Sequence, residues 1–185
     1  FIIAIAICIA VSLFIGYIVS ESPEFDLSKL NKSEASIIYA NDNVEVARVG
    51  AQLRENVTYD DLPEVFIDAL IATEDSRFFQ HNGLDAPRFI KASIGQLMGK
   101  DAGGASTLSM QLITNTYTDP LRQYSSGVKG IIRKFKDIYL SVFKLEKNFT
   151  KEEIIEYYVN NYDLANNAWG VEQASQTYFG KSVKD

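Results

Sequence analysis

Two adjacent carboxylates, Glu74 and Asp75, end the apolar run Ala69-Leu-Ile-Ala-Thr, and Phe78, His81 and Gly83 follow at short intervals. A carboxyl group beside another, at the edge of apolar surface, has its ionisation disfavoured by burial and by like charge, which is how a chain makes a general base. Taken alone, a Glu-Asp pair more often ends a solvated helix. A second group is Gly103-Gly104-Ala-Ser106-Thr107, just before an apolar segment. Glycines let backbone approach a ligand, and free N–H groups at a helix start favour an anion; by itself the same stretch is equally a loop and a cap. The third group is electrostatic. Between 122 and 151 there are 8 basic and 2 acidic residues, whereas between 21 and 75 there are 4 basic and 13 acidic. A local cationic stretch in a chain of net charge −6 suggests an anion site, against the commoner reading of a solvated basic face.

Several chemistries are excluded. The acidic balance argues against a general nucleic-acid binder. Cys8 is the only cysteine and lies in an apolar run, so no intrachain disulfide forms and the thiol serves as a small hydrophobe. With His81 the only histidine, a metal site built on Cys and His is ruled out by count. The glycine stretch is no P-loop, because no Gly-Lys-Ser/Thr follows, and no nucleophile elbow, because the second Gly is missing. Ser126-Gly-Val-Lys129 and Ser141-Val-Phe-Lys144 match Ser-x-x-Lys, but neither Ser-Asp-Asn nor Lys-Thr-Gly accompanies them, so acyl transfer is discarded. His81, seven residues after Glu74, reads as a hydrogen-bonding structural residue.

The elements that must position these groups are mostly helical. Residues 1–19 carry no charge, and as a helix of about 29 Å they match the hydrocarbon core of a bilayer. We expect a transmembrane helix there, retained rather than cleaved since no small-residue cleavage site is obvious, and a polar linker over 20–35. Ser36-Ile-Ile-Tyr39 and Val44 to Val49 flank Ala40-Asn-Asp-Asn43 and read as a hairpin. It is the only sheet expected. Asp60-Asp61-Leu62-Pro63 starts a helix on which Val65, Phe66, Ala69, Leu70 and Ala72 recur up to Glu74, so the carboxylate is expected where a buried helix ends. Further helices are expected over 87–97, with Phe89, Ile90, Ile94 and Leu97 apolar, over 106–116, and over 128–145. Residues 99–104 break the first of these, and a loop with Pro120 spans 117–127. In the 128–145 helix Ile131, Ile132, Phe135, Ile138, Tyr139 and Val142 form the stripe; Lys129, Arg133, Lys136 and Asp137 fall elsewhere, and Arg133 and Asp137, four apart, share a face. Thr150 and Glu153 form a capping box, before Ile154, Ile155, Tyr158 and Val159. After an Asn-rich loop over 160–170, a last helix over 171–179 stops at Gly180. The 185 residues, 46% of them hydrophobic, suffice for one mainly α domain with a core.

These motifs carry a resemblance. Ala72-Thr-Glu74-Asp75-Ser-Arg-Phe78-Phe-Gln-His81-Asn-Gly83 resembles the first signature of the family 51 peptidoglycan glycosyltransferases. Those are the glycan-polymerising domains of class A penicillin-binding proteins and of monofunctional transglycosylases. Gly103-Gly104-Ala-Ser106-Thr107-Leu-Ser-Met-Gln111-Leu-Ile-Thr-Asn115 resembles the second, Arg133-Lys134-Phe-Lys-Asp137 the third, and Lys151-Glu-Glu-Ile-Ile-Glu156-Tyr-Tyr-Val-Asn160 the fourth. The four occur in order, and the likeness runs from about Ser36 to the end.

The resemblance implies a lysozyme-like, mainly α lobe with a small membrane-proximal jaw (Phe89, Ile90, Ile94 and Met98 on it) and a β-hairpin, occupying 36–185. It implies a single-pass protein of the cell membrane with this domain on the extracellular side, in bacterial cell-wall synthesis. The reaction implied is polymerisation of lipid II onto a lipid-linked glycan chain, with inversion and release of a polyprenyl pyrophosphate. Glu74 is then the base and Asp137 the second catalytic carboxylate. Ser106, Thr107, Gln111, Arg133, Lys134 and Lys129 bind the substrate pyrophosphate. Asp75, Phe78, His81, Gly83, Gly104, Glu156 and Asn160 shape the motifs. No cofactor is certain; a divalent cation, Mg²⁺ or Mn²⁺, is left open, with no metal ligands assigned. Elongation or division proteins are the protein partners implied, and nucleic acid is not among the partners.

The chain also departs from the pattern. Met110 stands for a glutamine and Thr114 for a lysine in the second motif, and Asp137 stands for a glutamate in the third. Lys129 or Arg122 are the candidates to supply the missing charge. A further apolar motif is expected beyond Asp185, so the domain reads as C-terminally incomplete. Two other functions remain: a degenerate domain that binds lipid II or serves as a divisome scaffold without turnover, and a lytic glycoside hydrolase using two carboxylates.

Overall fold

The computed structural model describes residues 1–50, 53–99, 103–124 and 126–185, with only the backbone of Glu45, Arg48 and Leu97. The chain is mainly α, and it divides into two compact units. One comprises Phe1–Phe25 and His81–Asn148, the other Asp26–Gln80 and Phe149–Asp185.

In the first unit α1 runs Ile2–Ser20, uncharged throughout and almost wholly exposed; it is long and apolar enough to cross a membrane. Helix α3, Ala86–Leu97, begins one residue before the expected start because the Asp85 carboxylate accepts the Arg88 N–H at 3.0 Å, with Pro87 in the first turn. Its exposed side carries Ile90, Ile94 and Met98. The expected break over 99–104 and the Leu97 side chain lie partly outside the described residues. Helix α4, Leu108–Ile113, starts from Thr107, not Ser106: the Thr107 hydroxyl accepts the Met110 N–H at 3.2 Å. A π-helical turn, Thr114–Thr118, continues it into what the sequence suggested was loop. Helix α5, Gly127–Leu140, passes into a second π-helical turn, Ser141–Leu145, and then α6, Glu146–Asn148. The core is built from Leu108, Met110, Leu112 and Ile113 with Leu140 and Leu145, all essentially without exposed surface. Within this unit α1 meets α5 through an edge-to-face contact of Phe14 with Phe135, ring centroids 5.1 Å apart.

In the second unit β1, Ser36–Tyr39, and β2, Glu45–Val49, pair antiparallel as expected. A second sheet corrects the expectation of one: β3, Leu53–Arg54, pairs parallel with β4, Ala168–Trp169. Strands of two residues have no alternation to read, and their pairing is set by packing across more than a hundred residues. The expected helix start at 60–63 resolves into a 3₁₀ turn, Tyr59–Asp61, boxed by Thr58 and Asp61, and then α2, Glu64–Glu74, with Pro63 as its N-cap. No residue of α2 is fully buried, and Val65, Ala69 and Ala72 face solvent. The half-buried side carries Phe66, Ile67, Leu70, Ile71 and Glu74 instead. The expectation of a buried helix is therefore wrong, although α2 does end at Glu74. Helix α7, Lys151–Asn161, has the expected Thr150/Glu153 capping box and buries Ile154, Ile155, Tyr158 and Val159. Helix α8, Val171–Phe179, stops at Gly180, which is left-handed at φ +69°.

Candidate active site

The second unit fixes Glu74 through backbone, not through side-chain packing of α2 alone. Asn160 on α7 binds both backbone groups of Val57: its Oδ1 accepts the Val57 N–H at 3.0 Å and its Nδ2 donates to the Val57 carbonyl at 2.7 Å. Glu156, one turn earlier, accepts the Tyr59 N–H at 2.9 Å. Both therefore clamp the segment that leads into α2. Asn161, which sequence reasoning passed over, donates to the carbonyls of Leu30 and Tyr157, both at 2.9 Å. Gly170, at φ +83°, allows the chain to pass against α7, where a Cβ would lie 3.1 Å from the Asn160 carbonyl oxygen. Glu74 is half-buried at the end of α2, and Asp75 next to it is fully buried. The two carboxylates thus stand in different surroundings. Phe78 is fully buried, with the Lys151 ammonium 4.1 Å from its ring centroid.

The rest of the first signature belongs to the other unit. His81 is half-buried there. Gly83 sits at φ +84°, where a Cβ would meet the Ser141 carbonyl carbon at 2.9 Å, and its own carbonyl accepts the Thr107 hydroxyl at 2.8 Å. Thr107, a predicted binding residue, is thereby consumed in holding 83 to 107. Gly104 offers its carbonyl to Arg88 Nε at 2.7 Å, a contact with no advance signal in the sequence.

The same unit brings Ser106, Lys134, Arg133 and Asp137 together with Thr114 and Thr118. Lys134 Nζ donates to Ser106 Oγ at 2.7 Å, and burial pushes its pKa down to about 8. Asp137 has no exposed surface. Arg133 Nη1 donates to its Oδ2 at 2.8 Å, and the Thr118 hydroxyl donates to its Oδ1. The Thr114 hydroxyl lies 2.9 Å from Oδ2 and 2.8 Å from the Met110 carbonyl; its one proton serves either, and Arg133 Nη1 donates to it at 3.3 Å. Burial raises the Asp137 pKa to about 6, against the lowering effects of Thr118, Arg133, Thr114 and Lys134. Asp137 is thus ionised near neutrality and held between two elements. Residue 114, where the second motif leads one to expect a lysine, faces Asp137.

Gln111 is half-buried on α4, and Met110 is wholly inside the core, where an apolar side chain suits the site. Lys129 is placed against Tyr124, its Nζ 5.4 Å from the centre of that ring. Among the described residues no group of three His, Cys, Asp or Glu side chains is placed to hold a metal ion, so no residue set is assigned to a divalent cation. Thr118 and Asp119 went unnoticed in the sequence, although Thr118 follows Thr114 by four and Asp119 precedes Pro120.

A grouping of half-buried lysine, serine hydroxyl and arginine-paired carboxylate can bind phosphate oxygens and neutralise charge that grows on a leaving group. Comparison with known proteins gives this chemistry a family. The family model described as "Transglycosylase" matches residues 42–185. The chain is 36% identical over 181 residues to penicillin-binding protein 1A of Streptococcus oralis, covering 97% of this chain and 28% of that protein. It is 42% identical over 174 residues to the protein of that name from Clostridium tetani (90% and 21%), and 39% identical over 147 residues to the one from Escherichia coli (79% and 16%). The chain thus spans less than a third of the length of these relatives. The family model accounts for both units from the turn of the hairpin onward, and the chain belongs to the transglycosylase family, as a peptidoglycan glycosyltransferase domain of the class A penicillin-binding protein kind.

Proposed function

We propose that this domain polymerises lipid II into glycan strands at the outer face of the cell membrane. The acceptor's GlcNAc 4-hydroxyl attacks C1 of the MurNAc at the reducing end of the growing chain, Glu74 takes the hydroxyl proton, and the C1–O bond to the polyprenyl pyrophosphate breaks with inversion. Lys134, charged below about pH 8, meets the negative charge that develops on the leaving oxygen, with Ser106 and Gln111 beside it. Asp137 holds Arg133 in place, and Thr107 holds the backbone. Residues 1–19 anchor the domain beside its lipid substrates, 20–35 form the linker, and 36–185 form the catalytic domain. Asp75, Phe78, His81, Gly83, Gly104, Glu156 and Asn160 act by shaping these segments, and cell-wall elongation or division proteins are the partners.

The observation that carries this reading is the 2.7 Å contact of the half-buried Lys134 ammonium with Ser106. A desolvated cation next to a hydroxyl is costly unless an anion completes the site. The test is polymerisation of lipid II by the detergent-solubilised protein with Mg²⁺ or Mn²⁺, products resolved on a gel, beside Glu74→Gln. Long glycan from the wild type and none from the variant is the expected result. No glycan from either sinks the reading.

One observation favours a second reading, a domain that binds lipid II without turnover. Thr114 is hydrogen-bonded at Asp137 and brings no charge there. In that case Thr114→Lys combined with Asp137→Glu should raise polymerisation from near zero. Under the first reading the double variant changes it little. The lytic alternative predicts fragments released from cell-wall sacculi and indifference to the lipid.

A further inference from the structure

Beyond the residues that would touch a pyrophosphate, one side chain of the first unit organises their surroundings from outside. Asp119 is buried, at 4% exposure, yet it pairs with backbone. Its Oδ1 accepts the Gln123 N–H at 2.6 Å and its Oδ2 accepts the Tyr124 N–H at 2.7 Å. Its carbonyl accepts the Arg122 N–H at 2.9 Å, and its own N–H donates to the Thr114 carbonyl at 2.9 Å, closing the π-helical turn. One residue thus ends that turn and folds residues 119–124 back on themselves, with Arg122 driven to φ +52°.

The folded segment presents Tyr124 to two cations of α5. Arg133 Nε donates to the Tyr124 carbonyl at 2.7 Å, and Lys129 Nζ lies 5.4 Å from the Tyr124 ring centre. Arg133 is therefore gripped at both ends of its guanidinium, by Tyr124 through Nε and by Asp137 through Nη1. A planar, forked donor set held at two points has little freedom to rotate. A continuous series of bonds runs from Asp119 through Tyr124 and Arg133 to Asp137.

We propose that Asp119 is a positioning residue for the glycosyl transfer: it clasps residues 119–124 so that Tyr124 fixes Arg133 against Asp137, which leaves Lys134 directed at Ser106. The proposal rests on the reading above for its kinetic consequence, but its geometric part does not. With the clasp open, Arg133 has an untethered Nε and spends less time on Asp137. Among the described residues, the groups that face the Asp137 carboxylate are Arg133 and Lys134 from α5 and Thr114 and Thr118 from the π-helical turn. Weakening the first removes a cation that holds the carboxylate ionised, so its titration moves to higher pH.

The experiment compares the full chain in detergent with Asp119→Ala and Asp119→Asn. Carbon-13 labelling of aspartate carboxyls allows the Asp137 signal to be assigned with Asp137→Asn and followed against pH. The Asp137 midpoint is expected to rise in Asp119→Ala by about half a pH unit or more, as expected when a neighbouring cation is loosened. Asp119→Asn, which keeps one acceptor oxygen, should lie between it and the wild type. In lipid II polymerisation the acid limb of kcat/KM should move with that midpoint, and kcat/KM should fall about tenfold in Asp119→Ala. If Asp119→Ala fails to fold, the asparagine variant carries the same test. An Asp137 titration that stays in place in a folded variant overturns the proposal and leaves Asp119 as a loop staple. If the wild type makes no glycan, the functional reading fails, and the carboxyl titration still decides whether the clasp acts on Asp137.

Discussion

The two carboxylates assigned to chemistry are held in opposite ways. Glu74 is half-buried at the end of α2, and side chains from α7 grip the backbone just upstream of that helix. Asp137 is wholly buried in mid-helix, and side chains of α5 and of the π-helical turn grip its own oxygens. The difference fits the role proposed for each. A general base must exchange a proton with a substrate, so its own oxygens need access while the frame beneath it stays rigid. A carboxylate that aligns cations needs no access, and its charge is tolerable inside only because several donors share it. The lesson is that "two carboxylates" names a composition and not a mechanism; how each is gripped separates the roles.

That comparison can be broken in several places. The largest effect is expected from Glu74→Gln, which should lower kcat for lipid II polymerisation by ~10³-fold and leave the melting temperature unchanged. A large loss of stability would place Glu74 among the structural residues. Lys134→Met should cost ~10²-fold in kcat/KM without lowering stability, because it removes a desolvated charge. Unimpaired turnover would remove Lys134 from the leaving-group site.

The titration behaviour comes next. The folded Asp137 binds its proton more tightly than the unfolded chain does, its pKa having risen from 3.8 to about 6. Between those values the folded state holds more protons, so stability should fall as pH rises from about 4 to 6, by roughly 2–3 kcal/mol. Melting across that range checks it, and Asp137→Asn should remove the dependence. In activity, kcat/KM should rise through about pH 6 as Asp137 ionises and fall above about 8 as Lys134 loses its proton. The smallest effect belongs to the frame. Asn160→Ala leaves the buried N–H and carbonyl of Val57 without their side-chain partner and should cost about 2 kcal/mol, read as a lower unfolding midpoint.

Local signals were legible wherever the physics is local. Thr150 and Glu153 are three apart and announce a capping box; Gly180 announces the end of α8; an Asn-Asp turn between β-branched runs announces the β1–β2 hairpin; nineteen uncharged residues announce α1. Arg133 and Asp137 share a face by spacing alone, and they are paired. Each of these follows from helix or turn geometry over a few residues, which the sequence carries in full.

Only tertiary structure decided what those elements face. The half-buried side of α2 carries Phe66 and Leu70, as periodicity suggested, but also Ile67, Ile71 and Glu74, while Val65, Ala69 and Ala72 face solvent, because a short helix of mixed apolar residues has no unique apolar side until a partner is chosen. The β3–β4 pair joins segments more than a hundred residues apart. Spacing put Asp137 beside Arg133, but it gave no sign of burial, and it was the approach of Thr114 and Thr118 from a π-helical turn that made it a buried hub. Burial and donor sets depend on which distant segments pack together, and that is settled by the whole core at once, not by neighbours in the chain.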